Sequence, residues 1–206
     1  MPRPPARKLS RFTESIIREM TRIANQHGAI NLSQGFPDFD PPGDLVEAAV
    51  SALQGGYNQY GLTSGIPEFR AALAGKLSHC MGMEIDPEQH LTATCGSTEA
   101  MLAGMMTVLD PGDRVILFSP VYENYVPDSI LTGAVPRYVP LHPPDYRLDP
   151  DLLRSAFQDG AKALVLCNPS NPTGAVMRRS HLEGVAEVAR EKDLLGIADE
   201  IYAELT

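Results

Sequence analysis

Apolar residues recur at helical spacing through the first third of the chain. Phe12, Ile16, Ile17, Met20 and Ile23 predict an amphipathic helix over residues 9–27, which Gly28 closes. The stretch 31–42, NLSQGFPDFDPP, breaks the period and predicts an irregular, aromatic-bearing loop. Leu45, Val46, Ala49 and Leu53 then mark the buried side expected of a helix over 44–53, stopped by Gly55-Gly56. A third helix starts near Pro67, whose fixed φ suits a first helical position, and runs to about residue 80.

From residue 90 the rhythm shortens. Strand-like runs over 90–95, 114–118, 135–141, 161–167 and 194–198 alternate with helical patterns over 98–109, 122–131, 150–158 and 179–192. This alternation predicts an α/β fold built on a mainly parallel sheet. Many of the 18 prolines sit where one pattern ends and the next begins, at Pro41-Pro42, Pro111, Pro120, Pro143-Pro144, Pro169 and Pro172 among others. They punctuate a chain of many short elements without a linker or an internal repeat.

Composition narrows the class. At 43% hydrophobic and 21% charged, the chain is an ordinary globular sequence with apolar surface enough for a core. The richest apolar stretch, 100–109, is too short to cross a membrane and contains Gly104 and Thr107. Net charge is −9, and the first 22 residues hold six basic and two acidic residues, so the remainder carries −13 and repels nucleic acid. That basic start lacks the apolar run and small-residue cleavage site of a secretory signal, and a cytoplasmic protein is expected. Cys80, Cys95 and Cys167 form no CxxC pair and the histidines show no metal-binding spacing, so neither disulfides nor a metal site are expected.

In open parallel sheets ligands bind beyond the carboxyl ends of the strands, and four such ends carry chemistry. Cys95-Gly96-Ser97-Thr98 leads from a strand into a helix, with hydroxyls and free N–H groups suited to a phosphate; Ser97 as a plain helix cap is the alternative. Tyr122, after the strand 114–118, offers a ring that stacks on a planar cofactor or packs against Tyr125 one turn on. In Asn168-Pro169-Ser170-Asn171-Pro172-Thr173-Gly174, two X-Pro steps predict an extended, stiff loop that aims Asn171 at a phenolate or carboxylate; ordinary turn chemistry is the other reading. Asp199 ends an apolar strand, where a carboxylate needs either a helix to cap or a cationic partner such as a protonated ring nitrogen. Taken together the four ends ask for a phosphate, a flat ring, a phenolic oxygen and a basic ring nitrogen, all of which pyridoxal 5′-phosphate has.

Ser33-Gln34-Gly35-Phe36-Pro37-Asp38-Phe39, Asn58-Gln59-Tyr60, Gly96-Ser97-Thr98-Glu99-Ala100, Pro111-Gly112-Asp113, Asn168 through Gly174 and Asp199-Glu200-Ile201-Tyr202 stand in family order. In these motifs, over residues 10–206, the chain resembles the class I/II, fold-type I pyridoxal-phosphate-dependent aminotransferases, particularly their kynurenine, aromatic and broad-specificity branch. The resemblance implies a three-layer α/β/α large domain over 44–206, incomplete in this chain, preceded by an N-terminal arm and small-domain segment over 1–43. It also implies further strands between the strand 90–95 and the strand 194–198.

By position, the resemblance implies that Asp199 pairs with the pyridinium nitrogen and that Tyr202 and Asn171 hold the phenolic oxygen. Tyr122 stacks on the ring, Ser97 and Thr98 bind the phosphate, and Tyr60 reaches the phosphate of the other subunit in a homodimer. Gly35 and Asn171 meet the substrate, with Phe36 and Tyr57 at its side-chain pocket. The family lysine that joins covalently to the cofactor has no counterpart in Lys8, Lys76, Lys162 or Lys192, none of which lies in a matching motif. The chain therefore reads as the N-terminal portion of such an enzyme, with that lysine and the arginine that clamps the substrate carboxylate beyond Thr206, and inactive alone. The implied reaction moves an amino group between an L-amino acid and a 2-oxo acid. A carbon–sulfur β-lyase on the same scaffold, or a noncatalytic remnant, is the competing expectation.

Overall fold

The computed structural model describes residues 3–35, 37–157 and 160–206. It divides into two compact units, Thr13–Thr94 and a second made of Met1–Phe12 with Cys95–Thr206. The first contains α1 (Ile16–His27), α2 (Gly43–Gln54) and α3 (Pro67–Met81). The second contains a 3-10 turn at Arg7–Arg11, then α4 (Gly96–Val108), β1 (Arg114–Ser119), α5 (Tyr125–Thr132), β2 (Val135–Pro140), α6 (Pro150–Phe157), β3 (Ala161–Cys167), α7 (Arg179–Glu191) and β4 (Leu195–Asp199).

Alternation along the strands builds the three layers. Ile116 and Phe118 of β1 and Leu164 of β3 point to one side of the sheet, where they pack with Leu153 and Phe157 of α6 and Val185 and Val188 of α7. Val115 and Leu117, with Ala163 and Val165, point to the other side and meet Met101 and Met105 of α4 and Tyr125 of α5. Each fully buried Leu or Val in these layers contributes about 1.5–3 kcal/mol of burial free energy.

All four strands are parallel, in the order β2-β1-β3-β4. The chain moves outward from β1 to β2 through α5, then returns past β1 to β3 through α6, and the two connecting helices lie on opposite faces. A change of face with a change of direction is what right-handed crossovers require. It makes the carboxyl ends of β1 and β3 the place where the strand order reverses, and that is where an open α/β sheet forms its crevice.

Three expectations need correction. The run 90–95 joins no ladder: residues 91–94 lie in no helix or strand, and the Ala93 N–H donates to the Ser64 carbonyl at 2.8 Å instead. A β-like run becomes a strand only where a neighbour offers its backbone, and this one lies at the end of a unit with no sheet among the described residues. The face of α2 expected to be buried is open: Leu45 is 61% exposed, and no residue of α2 is buried. Periodicity identifies an apolar face without supplying what covers it. The single helix expected over 9–27 is two elements, because Ser15 caps α1 with its Oγ accepting from the Arg18 N–H at 3.2 Å.

Asp128, in the first turn of α5, is only 4% exposed, and its Oδ2 has no hydrogen-bond partner. Burial pushes its carboxyl up to about 6 from an ordinary 3.8. Between those values the folded protein holds a proton that the unfolded chain has released, so stability falls as pH rises through that window and levels off above it. Asp128→Asn removes the charge, and at pH 8 the variant is expected to exceed the wild type by on the order of 2 kcal/mol. Urea midpoints should show that gap at pH 8 and its near-disappearance at pH 4; an equal gap at both would refute the assignment.

Candidate cofactor site

Polar groups that follow β1, β3 and β4 gather at one end of the sheet. β3 and β4 pair Cys167 with Asp199, and the Asn168 N–H donates to the Asp199 carbonyl at 3.1 Å, so the loop after β3 starts beside Asp199. That loop closes on itself: the Gly174 N–H donates to the Ser170 carbonyl at 2.8 Å, and the Ser170 N–H donates to Ala175 at 2.9 Å. Asn168 stitches it down, with Oδ1 accepting from the Met177 N–H at 2.8 Å. The Asn168-Pro169 and Asn171-Pro172 bonds are both cis, unlike the extended run expected. Asn171 is left to donate from Nδ2 to the Tyr202 hydroxyl at 3.3 Å. A cavity of about 390 Å³ opens beside this pair, lined by Asn171, Pro172, Tyr202 and Leu205 among others.

Asp199 is held from two sides. Its Oδ2 accepts from the Tyr125 hydroxyl at 2.6 Å, and its Oδ1 accepts from the Ile201 N–H at 3.3 Å. Tyr125 is 3% exposed, and its ring meets Tyr122 edge to face, with centroids 5.6 Å apart and planes at 75°. Burial, the carboxylate of Asp199 and the Cys167 thiol all push the Tyr125 phenol up, so it remains a donor. The Tyr122 phenol is also pushed up, mainly by burial. Sequence reading left open whether Tyr122 stacks on a ligand or packs on Tyr125; the packing is present, and Tyr122 is only partly buried.

The third group is the start of α4. Gly96 has φ +81°, a left-handed conformation that favours glycine, and a Cβ built there meets nothing within 4 Å. No side chain caps the helix from Cys95; instead Glu99 reaches back to accept from the Cys95 N–H. The Thr98 hydroxyl accepts from Asn124 Nδ2 at 3.1 Å, and Asn124 also reaches the Tyr122 hydroxyl at 3.5 Å. Thr98, Asn124, Tyr122, Tyr125 and Asp199 thus form one chain of contacts across the strand ends. Sequence reading missed Asn124 and the Tyr125–Asp199 bond; their only local signal was position just beyond β1.

The donor set suits pyridoxal phosphate. The N-terminus of α4, which the Cys95 side chain does not cap, brings Ser97 and the Thr98 hydroxyl together as donors for a dianion. Asp199 offers a fixed anion to a protonated ring nitrogen, and the Tyr202 hydroxyl, already accepting from Asn171, has its own proton to give to a phenolic oxygen. Gly35, Tyr57 and Tyr60 belong to the other compact unit, where Tyr60 is fully exposed, and Phe36 lies outside the described residues. Lys162, bonded to Asp113 at 2.7 Å, and Lys192, bonded to Glu191 at 2.7 Å, stand at the amino ends of β3 and β4, opposite to Asp199. Among the described residues no group of three or more His, Cys, Asp or Glu side chains is placed to hold a metal ion, and no helix is long and apolar enough to cross a membrane.

A family model described as aminotransferase class I and II matches residues 27–206. A probable N-succinyldiaminopimelate aminotransferase of Mycobacterium tuberculosis is 38% identical over 200 residues, covering 96% of this chain and 50% of that protein. Human kynurenine–oxoglutarate transaminase 1 is 36% identical over 210 residues, covering 96% of this chain and 50% of that protein. A solved structure of N-succinyldiaminopimelate aminotransferase from Mycobacterium tuberculosis superposes with a TM-score of 0.91 at 37% identity, over 96% of this chain and 52% of that one. The chain spans about half the length of the curated relatives it matches.

Proposed function

From the premise that the chain belongs to the class I and II aminotransferases, a family that depends on pyridoxal 5′-phosphate, we propose that the whole protein transfers an amino group from an L-amino acid to a 2-oxo acid. The observation that carries this reading is the convergence, at one end of a parallel sheet, of Asp199 held by Tyr125, the Asn171–Tyr202 pair and the Thr98 hydroxyl at the start of α4. When bound there, pyridoxal phosphate supplies a conjugated electron sink for the bond broken at the substrate α-carbon.

The residues of this chain hold that group and set its charge. Asp199 keeps a proton on the ring nitrogen, because a fixed carboxylate makes deprotonation of its partner unfavourable. Tyr202 donates to the phenolic oxygen while Asn171 fixes the direction of its hydroxyl. Ser97, Thr98 and the first N–H groups of α4 bind the phosphate, and Tyr122 covers one face of the ring. Asn171 is assigned to the substrate, as are Gly35 and Phe36 by their match to the family motif.

Tyr60 is assigned to the phosphate site of a second subunit, which makes the working form a homodimer, and the boundary at 43/44 is retained as the start of the cofactor-binding domain. The placement of Lys162 and Lys192 supports assigning the covalent lysine to a residue outside these 206, so that this stretch alone does not turn over. A cytoplasmic location agrees with Cys80, Cys95 and Cys167 as free thiols. The test is to follow nitrogen-15 from a labelled amino acid in the whole protein supplied with a 2-oxo acid. Label should appear in the amino acid formed from the oxo acid; ammonia and pyruvate from a cysteine conjugate, with no transfer, would refute the reading in favour of a lyase.

A further inference from the structure

Asp199 has two carboxylate oxygens, and only one of them is needed by a ring N–H. The other, Oδ2, accepts at 2.6 Å from a hydroxyl whose ring is locked in the core: Tyr125 packs with Met101, Leu117 and Val165 and is braced edge-on by Tyr122. Its backbone is fixed as well, since its N–H donates to the Tyr122 carbonyl at 3.2 Å and its carbonyl accepts from the Ser129 hydroxyl at 2.8 Å. A tyrosine so confined keeps its hydroxyl on Asp199.

We propose that Tyr125 is a positioning residue for cofactor binding, its hydroxyl orienting Asp199 and drawing charge onto Oδ2 so that the shared proton stays on the cofactor's ring nitrogen. This inference rests on the proposed function. Three features of the site give it physical content. Without the hydroxyl, the carboxylate keeps only the long Ile201 contact and is free to rotate about its last bond. A charge-assisted bond at 2.6 Å is the strong kind, and it tilts any proton shared across the opposite oxygen toward the partner. The phenol is pushed up by burial and by Asp199, so the donor is never lost at working pH.

The experiment uses the whole protein loaded with pyridoxal phosphate labelled with nitrogen-15 in the ring, and reads the nitrogen resonance and the cofactor dissociation constant, not turnover. Tyr125→Phe keeps the ring and its packing, and is expected to weaken cofactor binding about tenfold and to move the resonance from the protonated toward the neutral position. A fluorinated tyrosine at 125, nearly the same size and a stronger donor, is expected to move the resonance at neutral pH further toward the protonated position than in the wild type. It keeps the test decisive even where Tyr125→Phe does not fold. Wild-type resonance and affinity in both variants, while Asp199→Ala loses both, would overturn the role of Tyr125 and leave the cofactor assignment standing. An Asp199→Ala protein that binds and protonates the cofactor normally would instead overturn the functional reading itself.

Discussion

Asp199→Ala is expected to lower amino transfer by the whole protein about a hundred- to a thousandfold, the range seen when a preorganised electrostatic partner of the reacting group is removed. The carboxylate closes an apolar strand and is presented to the crevice by two fixed donors, Tyr125 and the Ile201 N–H. Loss of the carboxylate lets the ring nitrogen of the cofactor give up its proton, and an unprotonated ring is a poor electron sink. The alanine also strands the buried Tyr125 hydroxyl, which costs about 1–3 kcal/mol of stability. Asp199→Asn separates the two effects: its amide oxygen still accepts from Tyr125 while the charge is gone, so stability should return and activity should not. Asp199→Glu keeps the charge but displaces it, and part of the activity should survive. Steady-state rates with circular dichroism as a folding control decide the matter; wild-type turnover in a folded Asp199→Ala would refute the assignment.

The second large effect lies in the unit Thr13–Thr94. Arg70 of α3 is 1% exposed, and its guanidinium ties three separate points: Nε donates to the Gly65 carbonyl at 3.1 Å, Nη1 to the Pro87 carbonyl at 2.7 Å and Nη2 to Glu88 at 2.8 Å. Glu88 is 67% exposed, so the ion pair is half in water and the two carbonyl bonds carry most of the energy. Gly65, at φ +104°, is pressed so closely that a Cβ there would stand 2.7 Å from that of Ala93, which leaves this junction little room to relax. Arg70→Ala is expected to cost about 3–5 kcal/mol, since it opens a cavity and leaves two inward carbonyls unpaired. Hydrogen exchange should show the α3 amides losing protection in the variant; unchanged protection would contradict the account of this junction.

Much of the sheet was legible in the residues because its signals are local. β3 is a run of Ala163, Leu164, Val165 and Leu166 bounded by Gly160 and Asn168-Pro169, and it forms over 161–167 as expected. α3 begins at Pro67 and α2 ends before Gly55 for equally local reasons. What escaped notice depends on partners distant in sequence. The run 90–95 has strand-like residues but pairs with no strand among the described residues, and no residue of α2 is buried. The same holds for the cofactor site. Asp199, Asn171 and Tyr202 stand out because each follows an apolar run, but the bond from Tyr125 spans 74 positions and no spacing rule reaches that far. Two tyrosines three residues apart gave no sign of which one faces Asp199; the turn of α5 decides it.

A crystal structure of the whole protein with pyridoxal phosphate tests the central claim most directly. The account predicts the phosphate against the first N–H groups of α4 and the Thr98 hydroxyl, and the ring nitrogen at hydrogen-bond distance from Asp199 with Tyr125 still on Oδ2. It also predicts the phenolic oxygen between Asn171 and Tyr202. A phosphate bound away from the start of α4, or a ring nitrogen turned away from Asp199, would contradict it.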